Sequence, residues 1–563
     1  MKPEETKMAT PDLKRLVIDS GFRGELDDSP VTIEAYSHDA SLFEIKPKLV
    51  VFPRDSNDIE TLVKFIAANK KTIPSLSLTA RSAGTDMVGG AINDSIIVDF
   101  RKHFTEIEMV TRTYAVAQPG VLYRDFEPRT LQHGVLMPTF PASRDLASIG
   151  GMIANNSGGE KSLEFGKTKD FVNELKVVFS DGIERSVKPI HKTELDKIMA
   201  KDDFEGRVYR RVYELCENNY DSIKSATPKV SKNSMGYNLW DVWDRESGIF
   251  DLTKLIVGSE GTLGLVTDIN FRLVPAKTHS GLLVLFLRDL DDLGELIPLV
   301  LAHHPATFES FDDQTLWLSI RFMPSFLRLL GVKRFVHLII SLIPDGLQLL
   351  RGIPKLILMV EFNGDNEEEV RNRIKALHSE LKKQKARYEI NGFEEDATEG
   401  KSEKFWVMRR QSFNLLRSKV KDKHTAPFID DLVVSPEYLV DFLPKLRKII
   451  VKYHLFATIA GHMGDGNFHI IPLMKLENKS ERDTLVPAMK EVNDLVLSYH
   501  GSLSGEHNDG LVRGPWLEQQ FGPDILRMFK EIKFIFDPDN IFNPHKKSDA
   551  DWDYSFAHIR EHF

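Results

Sequence analysis

The sequence predicts an α+β protein with more than one domain. The chain has 563 residues, which is too long for a single hydrophobic core. Between residues 47 and 275, short runs rich in valine, isoleucine and phenylalanine alternate with glycine-rich turns. From residue 280 onward, a strand pattern, a helix pattern and another strand pattern follow one another. This second order predicts an α+β domain with an antiparallel sheet.

The predicted elements follow in chain order. Residues 1–44 are polar and form a lead-in. A helix is predicted at 56–70, with Ser56 as its N-cap, and a charged amphipathic helix at 366–384. Strands are predicted at residues 48–53, 95–100, 174–182, 265–274 and 355–364.

Composition and charge narrow the functional classes. The net charge is −9, which disfavours general nucleic-acid binding. Cys216 is the single cysteine of the chain, which excludes an internal disulfide, a cysteine-rich zinc site and an all-cysteine iron–sulfur cluster. The N-terminus shows no apolar signal-peptide core, and no uninterrupted apolar run is long enough to span a bilayer. We therefore expect a cytoplasmic protein.

Residues 316–354 form an apolar and basic segment. This segment is rich in leucine, isoleucine and phenylalanine, and it carries five basic residues against the single acid Asp345. Such a composition is typical of an interfacial helix, which would give peripheral contact with the inner face of a membrane. The alternative is a buried helical insert that covers the active site.

Three glycine-rich loops lie in the first half of the chain. Their sequences are RSAGTDMVGG (81–90), ASIGGMIANNSGG (147–159) and VGSEGTLG (257–264). Glycines let the backbone approach a ligand closely and expose its N–H groups. A single loop of this kind could be an ordinary hairpin turn. Three together predict a long groove for an extended dinucleotide.

Two further segments carry candidate metal ligands. His462 and His469 flank a Gly-Asp-Gly-Asn run in the segment GHMGDGNFH, which predicts a turn that brings two imidazoles to one point. The segment SGEHNDG supplies Glu506 and His507. Two imidazoles and a carboxylate suffice to hold a divalent metal with open positions for substrate. The alternative for a histidine pair in a loop is a structural or surface role.

As a set, these segments resemble a known family. RSAGT, ASIGGMIANNSGG, GSEGTLG, GHMGDGNFH, SGEHNDG and IFNPHK resemble the FAD-linked oxidases and dehydrogenases of the vanillyl-alcohol-oxidase superfamily. The similar branch contains D-lactate dehydrogenase, glycolate oxidase and D-2-hydroxyglutarate dehydrogenase. The resemblance implies a two-subdomain FAD-binding domain at 45–275 and a substrate or cap domain with an antiparallel sheet at 276–510. The segment 511–563 would return to the FAD domain.

The resemblance also implies how FAD is bound. Thr85 stands where some members carry a histidine that is covalently linked to the flavin, so the expected FAD is noncovalent. The residues implied for the pyrophosphate are Arg81, Ser82, Ala83, Gly84, Thr85, Asp86 and Gly89. Those implied for flavin and ribose are Pro119, Gly120, Ser148, Gly150, Gly151, Asn156, Ser157 and Gly159. The adenosine side would be closed by Glu260, Gly261 and Gly264, with Asn543 as a further contact.

For the reaction centre, the resemblance implies a divalent zinc, manganese or iron ion and a catalytic base. The metal ligands would be His462, His469 and Glu506, and the base would be His507. The tandem arginines of EKFWVMRRQSFN resemble the segment that binds the substrate carboxylate. Arg409 is the first choice and Arg410 the alternate, although tandem arginines are also common on solvated helices.

Three positions depart from the family pattern. The glutamate–histidine pair is followed by Asn508 and Asp509, where glycine is commoner. Ile429 stands where the D-2-hydroxyglutarate branch has a lysine, which weakens a dicarboxylate substrate, although Arg513 could compensate. D-lactate is therefore the first substrate considered, with D-2-hydroxyglutarate and glycolate as alternatives.

The leading hypothesis is oxidation of a D-2-hydroxy acid to the 2-oxo acid. The chain lacks the cysteines for an iron–sulfur cluster of its own, so the electrons would pass to a quinone, a cytochrome or an electron-transfer protein. One alternative is a flavin-dependent transferase resembling the ether-lipid synthases. These resemble the chain in the FAD domain but have a histidine cluster instead of the Glu506–His507 pair. The other alternative is a catalytically silent flavin-binding protein.

The membrane interpretation of residues 316–354 predicts binding to anionic lipid. Cationic residues near an anionic surface contribute on the order of 1 kcal/mol each. The protein is expected to pellet with anionic liposomes at low salt, and a variant without residues 320–350 is expected to stay in the supernatant. If the full chain also stays in the supernatant, the membrane interpretation is wrong.

Overall fold

The computed structural model describes residues 12–316, 353–385, 387–388, 390–396, 404–409 and 423–560. Most of the apolar and basic segment, 317–352, lies outside the described residues, as does Arg410. Within the described ranges, none of the helices combines the length and the hydropathy needed to cross a bilayer.

The first sheet has four strands in the order β1–β2–β4–β3, and β2, β4 and β3 are parallel. Helices α1 and α3 pack Val17 and Ile59 into its apolar core. The strands are β1 (Glu25–Asp27), β2 (Leu49–Phe52), β3 (Leu78–Arg81) and β4 (Ile96–Asp99). The helices are α1 (Leu13–Asp19), α2 (Pro30–Tyr36) and α3 (Ser56–Asn69).

The N-cap of α3 is one residue earlier than the sequence predicts. The side chain of Asp55 accepts a hydrogen bond from the backbone N–H of Asp58 at 3.1 Å, and Ser56 is the first helical residue. Aspartate and serine cap helices about equally well, so residue type alone does not separate them.

A second sheet is antiparallel and has the strand order β5–β6–β13–β8–β9. Two small sheets follow, one with the strand order β10–β12–β11 and one formed by β14 and β7. The strands are β5 (Ile107–Val110), β6 (Tyr114–Ala117), β7 (Val135–Leu136), β8 (Val172–Val178), β9 (Glu184–Val187), β10 (Ile190–His191), β11 (Trp243–Asp244), β12 (Ile249–Phe250), β13 (Leu265–Arg272) and β14 (Val274–Pro275). The helices are α4 (Tyr123–Leu131), α5 (Ile149–Asn155), α6 (Ser162–Phe165), α7 (Lys192–Met199), α8 (Phe204–Asn218), α9 (Tyr220–Ser225) and α10 (Thr253–Ile256).

The third sheet is antiparallel, as the sequence predicts, and has the order β18–β15–β17–β16–β21–β22–β19, with β20 also paired to β22. The strands are β15 (His279–Leu287), β16 (Thr307–Asp312), β17 (Leu356–Gly364), β18 (Ile390–Asp396), β19 (His424–Thr425), β20 (Leu432–Val433), β21 (Phe456–His462) and β22 (Asn467–Met474). The helices are α11 (Leu293–Leu301), α12 (Glu367–Lys383), α13 (Leu439–Lys452), α14 (Lys479–Arg482), α15 (Leu485–Ser498), α16 (Gly510–Arg513), α17 (Leu517–Phe536) and α18 (Trp552–Ala557).

The C-terminal residues pack against the first sheet. Ile541 and Phe542 are buried in its core, and the backbone N–H of Asn543 donates to the carbonyl of Leu78 at 2.9 Å. Phe43 also forms an isolated antiparallel bridge with Ile559. Described residues near the C-terminus therefore pack against residues from the first hundred of the chain.

Candidate functional site

A hairpin brings the two predicted imidazoles together. His462 ends β21, and His469 lies on β22, opposite Ala460. Residues directly opposite each other share a face, and so do residues two apart on one strand, so His462 and His469 point to the same side. Their ring centroids are 5.3 Å apart. The turn predicted from the sequence is confirmed.

Glycine is required at the end of this turn. Gly466 has a φ of 63°, in the left-handed region, and its carbonyl accepts a hydrogen bond from the N–H of Val434. A Cβ atom at this position would lie 1.8 Å from the carbonyl oxygen of Val434. The turn can therefore close against the neighbouring strand only when residue 466 lacks a side chain.

Asp431 places the loop that carries Glu506 and His507. One of its carboxylate oxygens accepts hydrogen bonds from the backbone N–H groups of Glu506 and His507, both at 2.8 Å, and from the Ser504 hydroxyl at 2.6 Å. The other oxygen accepts from the Asn467 amide at 3.0 Å. A single buried carboxylate thus fixes this loop against the hairpin.

The three predicted metal ligands are close enough to share one ion. The ligand atoms of His462, His469 and Glu506 all lie within 4.8 Å of one another. His462 Nε2 is 3.2 Å from a carboxylate oxygen of Glu506. Two imidazoles and a carboxylate form a donor set that suits zinc, manganese or iron. By this chemistry the residues fit a divalent metal.

Asp430, His469 and His507 form a second group with the same spacing. The Asp430 carboxylate, however, lies 3.3 Å from Nδ1 of His469 and 3.1 Å from Nδ1 of His507. A carboxylate against Nδ1 orients an imidazole and leaves Nε2 for a ligand. We therefore assign Asp430 to orienting the two rings, which stack with centroids 5.1 Å apart.

Buried charges surround the candidate ligands. Lys232 is almost completely buried and contacts Glu506 at 2.5 Å and Asp465 at 3.1 Å. Burial alone would raise the pKa of Glu506, but His462 and Lys232 hold this pKa well below its ordinary value. Burial alone would lower the pKa of His462, yet Glu309 and Glu506 raise it to about 9. Ionised carboxylates of Glu309 and Glu506 therefore lie directly against the His462 ring.

His507 lies beside the buried carboxylate of Asp430 and lines a cavity that also reaches the glycine-rich loops. Burial alone would lower its pKa, but Asp431 and Asp430 outweigh this effect and raise the pKa to about 9. Its backbone is fixed by Asp431 and its ring by Asp430, so its position is determined from two sides.

Arg409 lines the cavity and forms an ion pair with Glu309. Glu309 lies on β16, is 1% exposed, and also contacts Nδ1 of His462 at 2.6 Å. Burial would raise the pKa of Glu309, but Arg409 and His462 lower it below the ordinary value. This ionised carboxylate joins the predicted substrate-binding arginine to a predicted metal ligand.

Arg513 and two of the departures from the family pattern, Ile429 and Asn508, are buried structural positions. Arg513 is buried, and its guanidinium donates to the backbone carbonyls of Asn508 at 3.2 Å and Asp430 at 2.5 Å. It does not line the cavity, so the idea that it compensates for Ile429 is not supported. Ile429 is itself buried away from the cavity lining. Asn508 has a φ of 73° and donates to the carbonyl of Gly258 at 2.9 Å.

One cavity of about 920 Å³ connects the glycine-rich loops to the histidine cluster. Its volume falls within the roughly 300–1,000 Å³ expected of ligand sites. At the cluster end it is lined by Arg409, Asp430, His469, Glu506 and His507. At the loop end it is lined by fourteen of the residues predicted for FAD: Arg81, Ser82, Ala83, Gly84, Thr85, Asp86, Pro119, Ser148, Gly150, Gly151, Ser157, Glu260, Gly261 and Gly264.

Gly151 shows why the loop end suits a bound cofactor. A Cβ at Gly151 would meet only the Ser148 hydroxyl, at 3.3 Å. This contact does not forbid a side chain, so packing within the described residues does not explain Gly151. Added side chains would instead narrow the cavity. The loop end therefore has the open backbone lining that FAD requires.

Five residues predicted to contact FAD do not line the cavity. Each of them makes contacts within the protein instead. A Cβ at Gly120 would lie 2.1 Å from the carbonyl of Phe100, and one at Gly159 would lie 2.0 Å from that of Phe140. The other three are also explained by protein contacts: Gly89 (φ 83°, packed on Phe43 and Leu511), Asn156 (left-handed C-cap of α5) and Asn543 (amide donating to the Gly90 and Glu260 carbonyls).

Sequence reasoning missed four buried charged residues of the site: Lys232, Glu309, Asp430 and Asp431. The aspartate pair stands inside the apolar run FIDDLVVSP, and this was an available signal because paired acids are rarely buried without partners. Glu309 and Lys232 lie in unremarkable sequence. Their partners, His462 and Glu506, are 153 and 274 residues away along the chain.

Two family models match the chain. Residues 47–187 match a FAD binding domain, and residues 276–547 match the C-terminal domain of FAD linked oxidases. A crystal structure of alkyldihydroxyacetonephosphate synthase aligns with a TM-score of 0.65 at 16% identity, covering 96% of this chain and 86% of that one. The fold predicted from the resemblance is confirmed.

Curated relatives cover nearly the whole chain. D-2-hydroxyglutarate dehydrogenase of Pseudomonas putida is 27% identical over 541 residues, which are 95% of this chain and 52% of that protein. D-lactate dehydrogenase of Archaeoglobus fulgidus is 25% identical over 521 residues, which are 91% of this chain and 95% of that protein. The chain therefore spans about half the length of the first relative and nearly all of the second.

The Gly466 turn can be tested by a matched pair of substitutions. Gly134 has a φ of 70° with none of the described atoms near its Cβ position, so Gly134→Ala should lose only the roughly 1–2 kcal/mol of left-handed backbone strain. Gly466→Ala adds a collision with Val434 and should lower the thermal unfolding midpoint further. Equal midpoints for the two variants would contradict the argument.

The metal assignment predicts that a single substitution removes the metal without removing FAD. His469→Ala should lose the metal, measured by elemental analysis, because one of three ligands is removed. It should keep FAD, because the glycine-rich loops that line the other end of the cavity are unchanged. Acid precipitation should release the flavin into the supernatant. A variant with full metal content would refute the ligand set, and flavin retained in the pellet would refute noncovalent binding.

Proposed function

Because the chain belongs to the FAD-linked oxidases of the vanillyl-alcohol-oxidase superfamily, we propose that it is a metal-assisted dehydrogenase of a D-2-hydroxy acid. The product would be the 2-oxo acid, and D-lactate is the first substrate proposed. Noncovalent FAD would be held by the glycine-rich loops, and a divalent zinc, manganese or iron ion by His462, His469 and Glu506.

One observation carries the proposal. The cavity that begins at the glycine-rich loops ends at Arg409, His469, Glu506 and His507. A substrate held at that end would face both the flavin end of the cavity and the imidazoles. If the same residues lay in separate pockets, they would support the binding of ligands but not a reaction between them.

Each group has a distinct task in the proposed reaction. Arg409 pairs with the substrate carboxylate and orients the molecule, and His507 accepts the proton of the hydroxyl group. Bound FAD would accept the hydride from the carbon that carries this hydroxyl. A divalent cation would lower the pKa of the hydroxyl group and favour the neutral form of the nearby imidazole.

The wall beside His469 favours a substrate with a short side chain. Ala460 lies opposite His469, and Thr458 lies opposite Ile471, and all three neighbours line the cavity. These side chains are small or apolar, so they suit the methyl group of D-lactate better than a second carboxylate. Glycolate and D-2-hydroxyglutarate are the alternatives, and the relative named for D-2-hydroxyglutarate supports the second of them.

A flavin-dependent transferase is the alternative from another class. The alignment with alkyldihydroxyacetonephosphate synthase concerns the fold and carries no argument about chemistry. The Glu506–His507 pair beside Arg409 favours the dehydrogenase, because it supplies a base and a metal ligand at one end of the cavity. The electron acceptor we propose is a quinone, a cytochrome or an electron-transfer protein. Contact with a membrane through residues 316–354 is part of the same proposal.

The function is tested by mixing the protein with D-lactate without oxygen. The flavin absorbance near its visible maximum should bleach with D-lactate but not with L-lactate. His507→Ala should keep FAD and metal but slow the bleaching roughly 10²–10⁴-fold, the usual contribution of a general base. If none of D-lactate, glycolate and D-2-hydroxyglutarate bleaches the flavin of the metal-loaded protein, the proposed function is wrong.

A further inference from the structure

We propose that Glu309 is a positioning residue that couples the metal site to the substrate-binding arginine. This inference rests on the proposed function, since it assigns Glu309 a task within that same site. Its carboxylate would hold His462 in the form that binds metal and hold Arg409 in the orientation that binds the substrate carboxylate.

The carboxylate of Glu309 contacts both residues directly. One carboxylate oxygen lies 2.6 Å from Nδ1 of His462, and the other forms an ion pair with Arg409. The side chains of Glu309 and Arg409 are 1% and 6% exposed, so water screens this contact little. One buried group therefore contacts two residues with different proposed tasks.

The contact with His462 determines which ring nitrogen can bind a metal. An imidazole whose Nδ1–H donates to a carboxylate carries its lone pair on Nε2. Nε2 of His462 is the atom that lies 3.2 Å from Glu506, on the side of the ligand cluster. Glu309 thus favours the tautomer and ring orientation that the metal site needs.

The contact with Arg409 is supported by the packing around it. Phe405 and Met408, which precede Arg409, lie in one buried apolar cluster with Phe311 of β16. This cluster fixes the segment 404–409 against the strand that carries Glu309. The ion pair then determines where the guanidinium lies at the end of that segment.

A purely structural ion pair is the competing explanation. A buried ion pair often stabilises a protein no better than apolar residues of the same volume would. A structural role predicts that loss of Glu309 affects folding alone. The coupling predicts two specific losses, in metal affinity and in substrate affinity, in a protein that still binds FAD.

The experiment is a double-mutant cycle of Glu309→Gln and Arg409→Ala on the FAD-loaded protein. Metal affinity is measured by competition with a chelator, and D-lactate affinity by anaerobic titration of the rate of flavin reduction. Asp312→Asn is the matched control, because Asp312 is another acid of β16 and bonds to Thr315 and Ile459 instead. This control should leave both affinities at the wild-type values.

Glu309→Gln should weaken metal binding about 10–100-fold, the usual effect of losing a partner of a metal-ligating histidine. It should also weaken D-lactate binding, whereas Arg409→Ala should weaken D-lactate binding alone. With metal at a concentration that saturates both variants, Glu309→Gln in the Arg409→Ala background should change D-lactate affinity less than about twofold, because its remaining effect on the substrate passes through the arginine.

The outcomes separate this inference from the proposed function. Wild-type protein that binds no metal and is not reduced by D-lactate, glycolate or D-2-hydroxyglutarate refutes the proposed function. If the wild type binds metal and is reduced, two results refute the coupling. One is a metal affinity of Glu309→Gln equal to that of the wild type. The other is that Glu309→Gln lowers D-lactate affinity as much in the Arg409→Ala background as it does in the wild type. If Glu309→Gln fails to retain FAD, Glu309→Asp replaces it, and metal affinity must then fall while FAD stays bound.

Discussion

The candidate site depends on the buried carboxylate of Asp431. It accepts four hydrogen bonds, from the Asn467 amide, the Ser504 hydroxyl and the backbone N–H groups of Glu506 and His507. A buried charge is costly unless polar groups surround it, and here the donors come from the hairpin and from the loop that follows α15. The same interaction that satisfies Asp431 therefore positions a candidate metal ligand and the candidate base. The backbone of Asp431 is also left-handed, with a φ of 66°. A residue other than glycine keeps this strained conformation only where the surrounding contacts hold it there.

Two lysines from the first half of the chain also bind the loop that carries Glu506. Lys167 donates to the carbonyl of Gly505 at 2.5 Å and to the Ser234 hydroxyl at 2.8 Å. Lys232 bonds to Glu506 at 2.5 Å and neutralises part of the charge that the buried acids create. The loop with Glu506 is thus held both by Asp431, which directly precedes β20, and by the two lysines. The buried ion pair between Lys232 and Glu506 therefore ties this loop to the first half of the chain, and separating the two would leave buried charges unpaired.

Sequence reasoning recovers the parts of the site that are local in the chain. The turn between His462 and His469 was predictable because glycine, aspartate and asparagine favour turns over a few residues. The roles of Glu309 and Lys232 were not predictable, because their partners are 153 and 274 residues away. Short motifs also fail to separate residues that line the cavity from residues that only support the loop: Gly151 lines the cavity with only the Ser148 hydroxyl near its Cβ position, whereas Gly120 admits a close backbone contact. In α3 the competing caps Asp55 and Ser56 are adjacent and chemically similar, so only the observed hydrogen bond decides between them.

The hairpin that carries the proposed substrate wall also carries two of the three candidate metal ligands, His462 and His469. The candidate base and one metal ligand lie on the loop that Asp431 holds, whereas Thr458, Ala460 and Ile471 lie on the paired strands β21 and β22. Side chains on one face of a sheet can change size without moving the backbone that carries them, provided that the pairing register is kept. The register here is tied to the Gly466 turn, which fixes His469 opposite Ala460. Changes of side chain at the proposed substrate wall can therefore leave His462 and His469 in place as long as this register is kept, while the buried carboxylate of Asp431 holds the loop with Glu506 and His507.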